Sequence, residues 1–186
     1  ICQMVGGMPI AIELAAAWLQ ILNLAEIAGE LEKGLDILVT EMRDAPERHR
    51  SIRTIFDHSW SLLNQAEQEV FLNLSVFRGG FTHQAAVQVS GASLQVLMGL
   101  VNKSFLNHNP ESGRLEVHEL LRQYAREQLG KNPQAYLALK EAHAAYYGEF
   151  MEQIWHDLRC SRQMQALGDA EADIENVRTA WRYDLD

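Results

Sequence analysis

The spacing of apolar residues divides the chain into stretches of different rhythm. From Pro9 runs PIAIELAAAWL, dense in strong helix formers. Pro9 suits a first helical position, because its missing N–H would be unpaired there anyway. Leu24, Ile27, Leu31 and Leu35 follow at steps of three and four, which predicts a second helix. The stretch RDAPERHR at residues 43–50 is polar and holds a proline, and it marks a module boundary.

A different rhythm follows. Ile52, Ile55, Phe56, Ser59, Leu62 and Leu63 predict a helix. Asn64 with Glu67 three residues on reads as a capping box opening a short helix through Val70, Phe71 and Leu74. Gly79 and Gly80 break the chain, and Thr82 can cap a helix over 83–89. Ser93 can cap another, with Leu94, Leu97, Met98 and Val101 on one face. Short strands are predicted at 104–108 and 114–118, joined by NPESG, a run of turn formers. A helix over 119–129 closes the unit. The helices, the hairpin and the closing helix make a winged helix-turn-helix.

The last third returns to helical spacing. Leu139, His143, Tyr147, Phe150, Ile154 and Leu158 step by three and four, as do Leu167, Ala170, Ile174, Val177 and Trp181. Each stripe must be buried, so the two helices are expected to pack as an antiparallel pair, the usual opening of a helical-repeat array. The predicted fold class is therefore mainly α with one small hairpin. The predicted division is 1–43, a helical segment; 44–130, a winged-helix domain; and 131–186, a helical hairpin.

Composition adds limits. The chain has 186 residues, of which 47% are hydrophobic, which supports a real core. Its net charge of -9 gives no long-range attraction for nucleic acid or anionic membrane, so any DNA contact needs a local basic patch. Cys2 and Cys160 form no CxxC pair, which fits a reducing cytoplasm. The most apolar stretch, residues 4–22, carries Glu13 at its centre. A carboxylate at mid-bilayer costs roughly 2.5–3.5 kcal/mol, so no membrane span is expected. No Lys or Arg precedes the stretch, so it does not read as a signal peptide. The chain opens on Ile1 inside an apolar run and reads as an excised fragment of a longer protein.

Two short motifs carry candidate chemistry. GGMPIA, with Gly7 and Pro9, is either a helix start with a flexible lead-in or a GxP element whose proline ring presses flat on an adenine. VHELL, with His118, is either a half-buried histidine at a strand end or a phosphate sensor whose imidazole N–H donates to a diphosphate oxygen. A Walker A cradle is missing: the only Gly–Lys pair is Gly130–Lys131, with Ala125 in place of the first glycine and Asn132 in place of Ser or Thr. None of the seven histidines stands three or four residues from another, so no metal site is expected. No GxSxG or Cys-His signature appears, and no catalytic residue is predicted.

The order GMPIAIELAA, RDAPERHRSIRTIFDHSWSLL, LSVFRGGF, LVNKSFL, VHELLRQYA, EADIENVRTAW resembles the AP-ATPase (NB-ARC) branch of the STAND regulators, especially the AfsR- and MalT-like bacterial transcriptional regulators. The resemblance implies the helical segment that follows a nucleotide-binding core, then a winged helix, then the first of the C-terminal TPR-like repeats. Gly7 and Pro9 would match the family's adenine-contacting GxP, and His118 the histidine of its MHD motif, which senses the β-phosphate of ADP. Val117 replaces the usual Met, and Glu119 the usual Asp.

On this resemblance the chain is a regulatory switch fragment and not itself an enzyme. Walker A and B would lie upstream. The fragment would hold no cofactor, while the full-length parent, an ATPase, would take ADP or ATP with Mg. The implied partners are the upstream ATPase core and the downstream helical repeats, with self-association on activation and no membrane.

Two alternatives stand beside it. One is a DNA-binding winged helix. Its reading helix, SLQVLMGLVNK, offers only Gln95, Asn102 and Lys103, and its wing sets Glu111 and Glu116 against Arg114, so direct DNA binding by this segment is not expected. The other is a nucleotide-independent helical scaffold or adaptor.

Overall fold

A computed structural model describes residues 1–5, 7–38 and 52–185. It is mainly helical, with a two-stranded antiparallel sheet, as the sequence pattern predicts. Among the described residues no single helix is long and apolar enough to cross a membrane.

Helix α1 (Pro9–Ala17) starts on its proline. Helix α2 (Leu24–Lys33) opens with a full capping box: the Asn23 side chain accepts from the Ala25 and Glu26 amides, and the Glu26 carboxylate accepts from the Asn23 amide. The helix stops at Gly34, so the predicted stripe is split. Ile27 and Leu31 are buried on α2, Leu35 is buried in the 3-10 turn beyond it, and Leu24, in the first turn, is exposed. The boundary predicted at 43–50 lies outside the described residues.

Four helices and a hairpin follow: α3 (Ile52–Ser61), α4 (Gln65–Leu74), α5 (His83–Ser90), α6 (Leu94–Asn102), β1 (Asn107–Asn109) and β2 (Arg114–Glu116). Helix α7 (Glu119–Leu129) closes the unit. Asn64, Thr82 and Ser93 cap α4, α5 and α6 through their side chains, each satisfying amides that the helix leaves unpaired. In the turn, Asn109 Oδ1 accepts from the Glu111 and Ser112 amides, and Gly113 takes φ +66°. The hairpin pairs His108 with Leu115, and on the other side of Leu115 Phe81 forms an isolated bridge, exchanging both backbone bonds with it at 2.9 Å.

Two expectations are corrected here. Both strands are shorter than predicted: Phe105 and Leu106 turn inward and are buried before the ladder begins, and β2 ends at Glu116, ahead of the helix cap at His118. Helix α6 buries Leu97 and Leu100, whereas Leu94 and Met98 face out, 66% and 60% exposed. The apolar positions of α6 form a stripe too broad to be covered whole, and contact with α4 selects the part that is buried.

Helix α8 (Pro133–Asp157) runs for 25 residues and buries Leu139, His143, Tyr147 and Ile154. It packs along α10 (Ile174–Leu185) and against α5, α7 and α9 (Gln163–Ala172). The single helix expected over 167–181 is thus two, broken at Asp173. Leu167, Ile174 and Trp181 lie exposed, while Ala166, Val177 and Ala180 are buried. The stripe is displaced because Asp173 and Asn176, both polar, are turned into the protein and buried.

Candidate functional site

His118 is the first-turn cap of α7. Its Nδ1 accepts the Leu120 amide at 3.3 Å, and the side chain is half-buried. A neutral imidazole that accepts at Nδ1 carries its proton on Nε2. Its donor is therefore Nε2–H, the group a phosphate sensor needs. Glu119, next to it, does not cap. Its longer arm reaches along α7 to Arg122, with Arg122 Nε at 2.8 Å, and takes Gln123 Nε2 at 3.2 Å. Burial pushes the Glu119 carboxyl up, but the Arg122 hydrogen bond and charge outweigh it and hold it below the usual range.

Gly7 takes φ +70° just before α1, and Pro9 is exposed at the start of that helix. Gly6 lies outside the described residues. The neighbours of α1 and of α7 differ: α1 packs on the 3-10 turn that follows it, and α7 on α3, α4, α8 and the turn at Leu35–Ile37. Pro9 and His118 are therefore positioned by separate parts of the fold.

The most built cluster is one that sequence reading missed. Arg114, in β2, makes a two-point ion pair with Asp173, Nη1 to Oδ2 at 2.9 Å and Nη2 to Oδ1 at 2.7 Å. The two side chains are only 14% and 7% exposed. Tyr147 Oη and Asn176 Nδ2 also donate to Asp173 Oδ1, at 2.9 and 3.0 Å. Arg114 Nη2 and Asn176 Nδ2 share the Gly80 carbonyl, and Asn176 Oδ1 accepts the Arg78 amide at 2.7 Å. Wing strand, α8 and the α9–α10 break meet at this one carboxylate, and the α4–α5 loop joins them through Arg114 and Asn176. The signal for it was present: Asp173 and Asn176 interrupt an apolar stripe three residues apart.

Beside this cluster His143 is 1% exposed, against Phe77 and Tyr147. Burial pushes its imidazole down to about 4, and Asn176 and Asp173 only partly offset that. Tyr147 is pushed upward by burial and by Asp173.

The face that a DNA-binding winged helix would use has lost both of its predicted cations to internal pairs. Lys103 Nζ donates to Glu67 Oε2 at 2.6 Å and to the Leu62 carbonyl at 3.1 Å. Glu67 is 5% exposed, and its hydrogen bond to Lys103 holds its carboxyl below the usual range despite burial. Arg114 is turned inward to Asp173. What α6 presents to solvent is Leu94, Met98, Gln95 and Asn102.

No family model and no solved structure gives a significant match to this chain. Curated relatives do. Proteins of Mycobacterium tuberculosis (strain H37Rv) and Mycobacterium bovis, named as HTH-type transcriptional regulators, are 31% identical over 192 residues, covering 98% of the chain and 21% of each relative. An uncharacterized M. tuberculosis protein is 31% identical over 146 residues, covering 73% of the chain and 37% of that protein. The chain thus spans about a fifth of the length of the regulators it matches.

Proposed function

We propose that this chain is a regulatory segment of a longer transcriptional regulator. In this reading its winged helix passes the nucleotide state of an ATPase core, elsewhere in the parent, to the helices that follow. The observation that carries the proposal is the Asp173 cluster. Arg114 of the wing and Tyr147 and Asn176 of the C-terminal helices share one buried carboxylate, so the wing cannot swing without breaking that cluster or dragging the helices with it. His118 starts α7 two residues beyond β2, and its Nε2–H suits a diphosphate oxygen. ADP would hold the wing through that contact, and exchange for ATP would release it, a shift driven by differential contact with one phosphate.

The test is hydrogen exchange on the full-length parent, loaded with ADP or with a non-hydrolysable ATP analogue. Protection at residues 114–120 and 173–177 should change together. Identical exchange in both states would sink the proposal.

A second reading has its own support, in the names of the regulators that match. The HTH of those names would then be this winged helix, reading DNA with α6. Gel shifts with the chain decide it: a salt-sensitive, sequence-selective complex lost on Gln95→Ala or Asn102→Ala would establish DNA reading. With Lys103 and Arg114 engaged internally, the expected result is no selective complex.

A further inference from the structure

A cavity of about 430 Å³ opens between the α4–α5 loop, α7, α8 and α10. Its size falls in the range of small-molecule sites. The chain is acidic overall, yet Arg78, Arg126, Lys140, Arg178 and Arg182 line this cavity against one carboxylate, Glu175. That carboxylate is taken by Arg178, three residues along α10. Among the described residues, Arg78, Arg126, Lys140 and Arg182 form no ion pair.

Cations crowded in this way repel one another. Arg78 is half-buried, and its guanidinium is disfavoured first by burial and then by the charges of Arg122 and Arg126. Arg122 is 4% exposed, with Nη1 lacking a hydrogen-bond partner among the described residues. Glu119 offsets those charges only in part, so an anion entering the cluster would relieve the remaining repulsion. Packing alone gives no reason for it, since Arg182 and Arg178 are exposed and could be aimed elsewhere.

We propose that this cavity is the binding site of a small phosphorylated ligand. Planar guanidinium forks suit phosphate oxygens and bind them in pairs. An excess of four positive charges suits a di- or trianion such as a diphosphate. The aromatic side chains add an organic wall: Lys140 Nζ stands 5.3 Å from the Tyr136 ring centre and 5.0 Å from that of Tyr183, so both rings flank the cationic floor. The concave shape selects a small molecule over a DNA backbone, which needs an open track of cations. The site joins α7, the helix that His118 starts, to α10, which follows Asp173. Its ligand would therefore brace the same junction as the Asp173 cluster. The proposal stands apart from the nucleotide-switch reading, because Gly7, Pro9 and His118 do not line the cavity.

The probe is inorganic pyrophosphate, titrated calorimetrically into the chain at low ionic strength. We expect one site per chain, weakened by added salt. Arg78→Gln and Arg182→Gln should each weaken binding roughly tenfold or more, the usual worth of a charged hydrogen bond. Arg159→Gln and Arg162→Gln, exposed cations that do not line the cavity, should leave binding unchanged. Arg78→Gln should also match or exceed the parent chain in melting temperature, because it relieves repulsion; Arg182, being exposed, provides a second variant with little effect on folding. Absence of binding at millimolar pyrophosphate would overturn the proposal. So would binding indifferent to both arginine variants, or a duplex DNA bound through these arginines with no competition from pyrophosphate.

Discussion

Arg114 and Asp173 stand 59 residues apart in sequence and meet through two hydrogen bonds, at 2.7 and 2.9 Å, in a nearly buried pair. Taking one member away leaves the other charged and buried, which typically costs about 3–5 kcal/mol. Arg114→Met and Asp173→Asn should each lower the unfolding free energy by that order, seen as a lower urea midpoint. The double variant should lose clearly less than the sum, since no lone charge remains. A strictly additive double variant would mean that the pair contributes no coupling between wing and helices.

His143 supplies a pH dependence with a definite sign. Its folded value, about 4, lies below the ordinary 6.5, so the unfolded chain binds a proton first as pH falls. Stability from this group is full above about pH 6.5 and is lost as pH drops toward 4. The total is about 3 kcal/mol, with a limiting slope of about 1.4 kcal/mol per pH unit. Urea unfolding at pH 7 and pH 5 should show the loss, and His143→Phe should flatten it. An equal slope in His143→Phe would assign the acid sensitivity to other groups.

Lys103→Met tests the commitment of that lysine to Glu67. The variant leaves a buried carboxylate with only the Asn64 amide among the partners seen at its Oε2. A loss of about 1–3 kcal/mol at pH 7 is expected. The Glu67 carboxyl is depressed in the folded chain, so this contribution is present above its unfolded value and fades as pH falls through the folded one. The gap between parent chain and variant should therefore narrow in acid. A gap that stays constant down to pH 3 would contradict the assignment.

His118 has two separable roles. As the cap of α7 it is worth about 1 kcal/mol, or roughly 2–4 °C in melting temperature, and His118→Ala should lose this. Asn caps well, so His118→Asn should keep it. In the full-length parent, both variants remove the Nε2–H donor. If that donor holds a diphosphate, both should release ADP about ten- to a hundredfold more readily. ADP affinity unchanged in both would leave His118 as a cap alone.

Local features of this fold were legible from sequence, and distant ones were not. Asn64, Thr82, Ser93 and Asn109 act within three residues of themselves, so spacing alone identifies their bonds. The helix start at Glu119 follows for the same reason. The face of α6 differs from the expected one because Leu94, Val96, Leu97, Met98, Leu100 and Val101 spread over more than half of the helix, and only its neighbours decide which are covered. Asp173 was passed over as a polar residue in a stripe, since its partners Arg114 and Tyr147 come from elements far away in the chain. The arginine cavity was invisible for a related reason: Arg78, Arg126 and Arg182 are scattered along the sequence, and only folding concentrates their charge. Gly7, Pro9 and His118 were found by resemblance, and their own geometry is that of a left-handed glycine, an exposed helix-opening proline and a helix cap.

The 25 residues of α8 give it a length of about 37 Å at 1.5 Å per residue. Tyr147, tied to Asp173, lies just past its middle. The helix therefore has the mechanics of a seesaw with an off-centre pivot. A tilt of about 10° about Tyr147 would carry Asp157, roughly 15 Å away, by nearly 3 Å, and would carry Pro133, roughly 21 Å away on the other side, by nearly 4 Å in the opposite sense. Rearranging one carboxylate at the pivot would thus deliver motions of several ångströms to both ends of the helix.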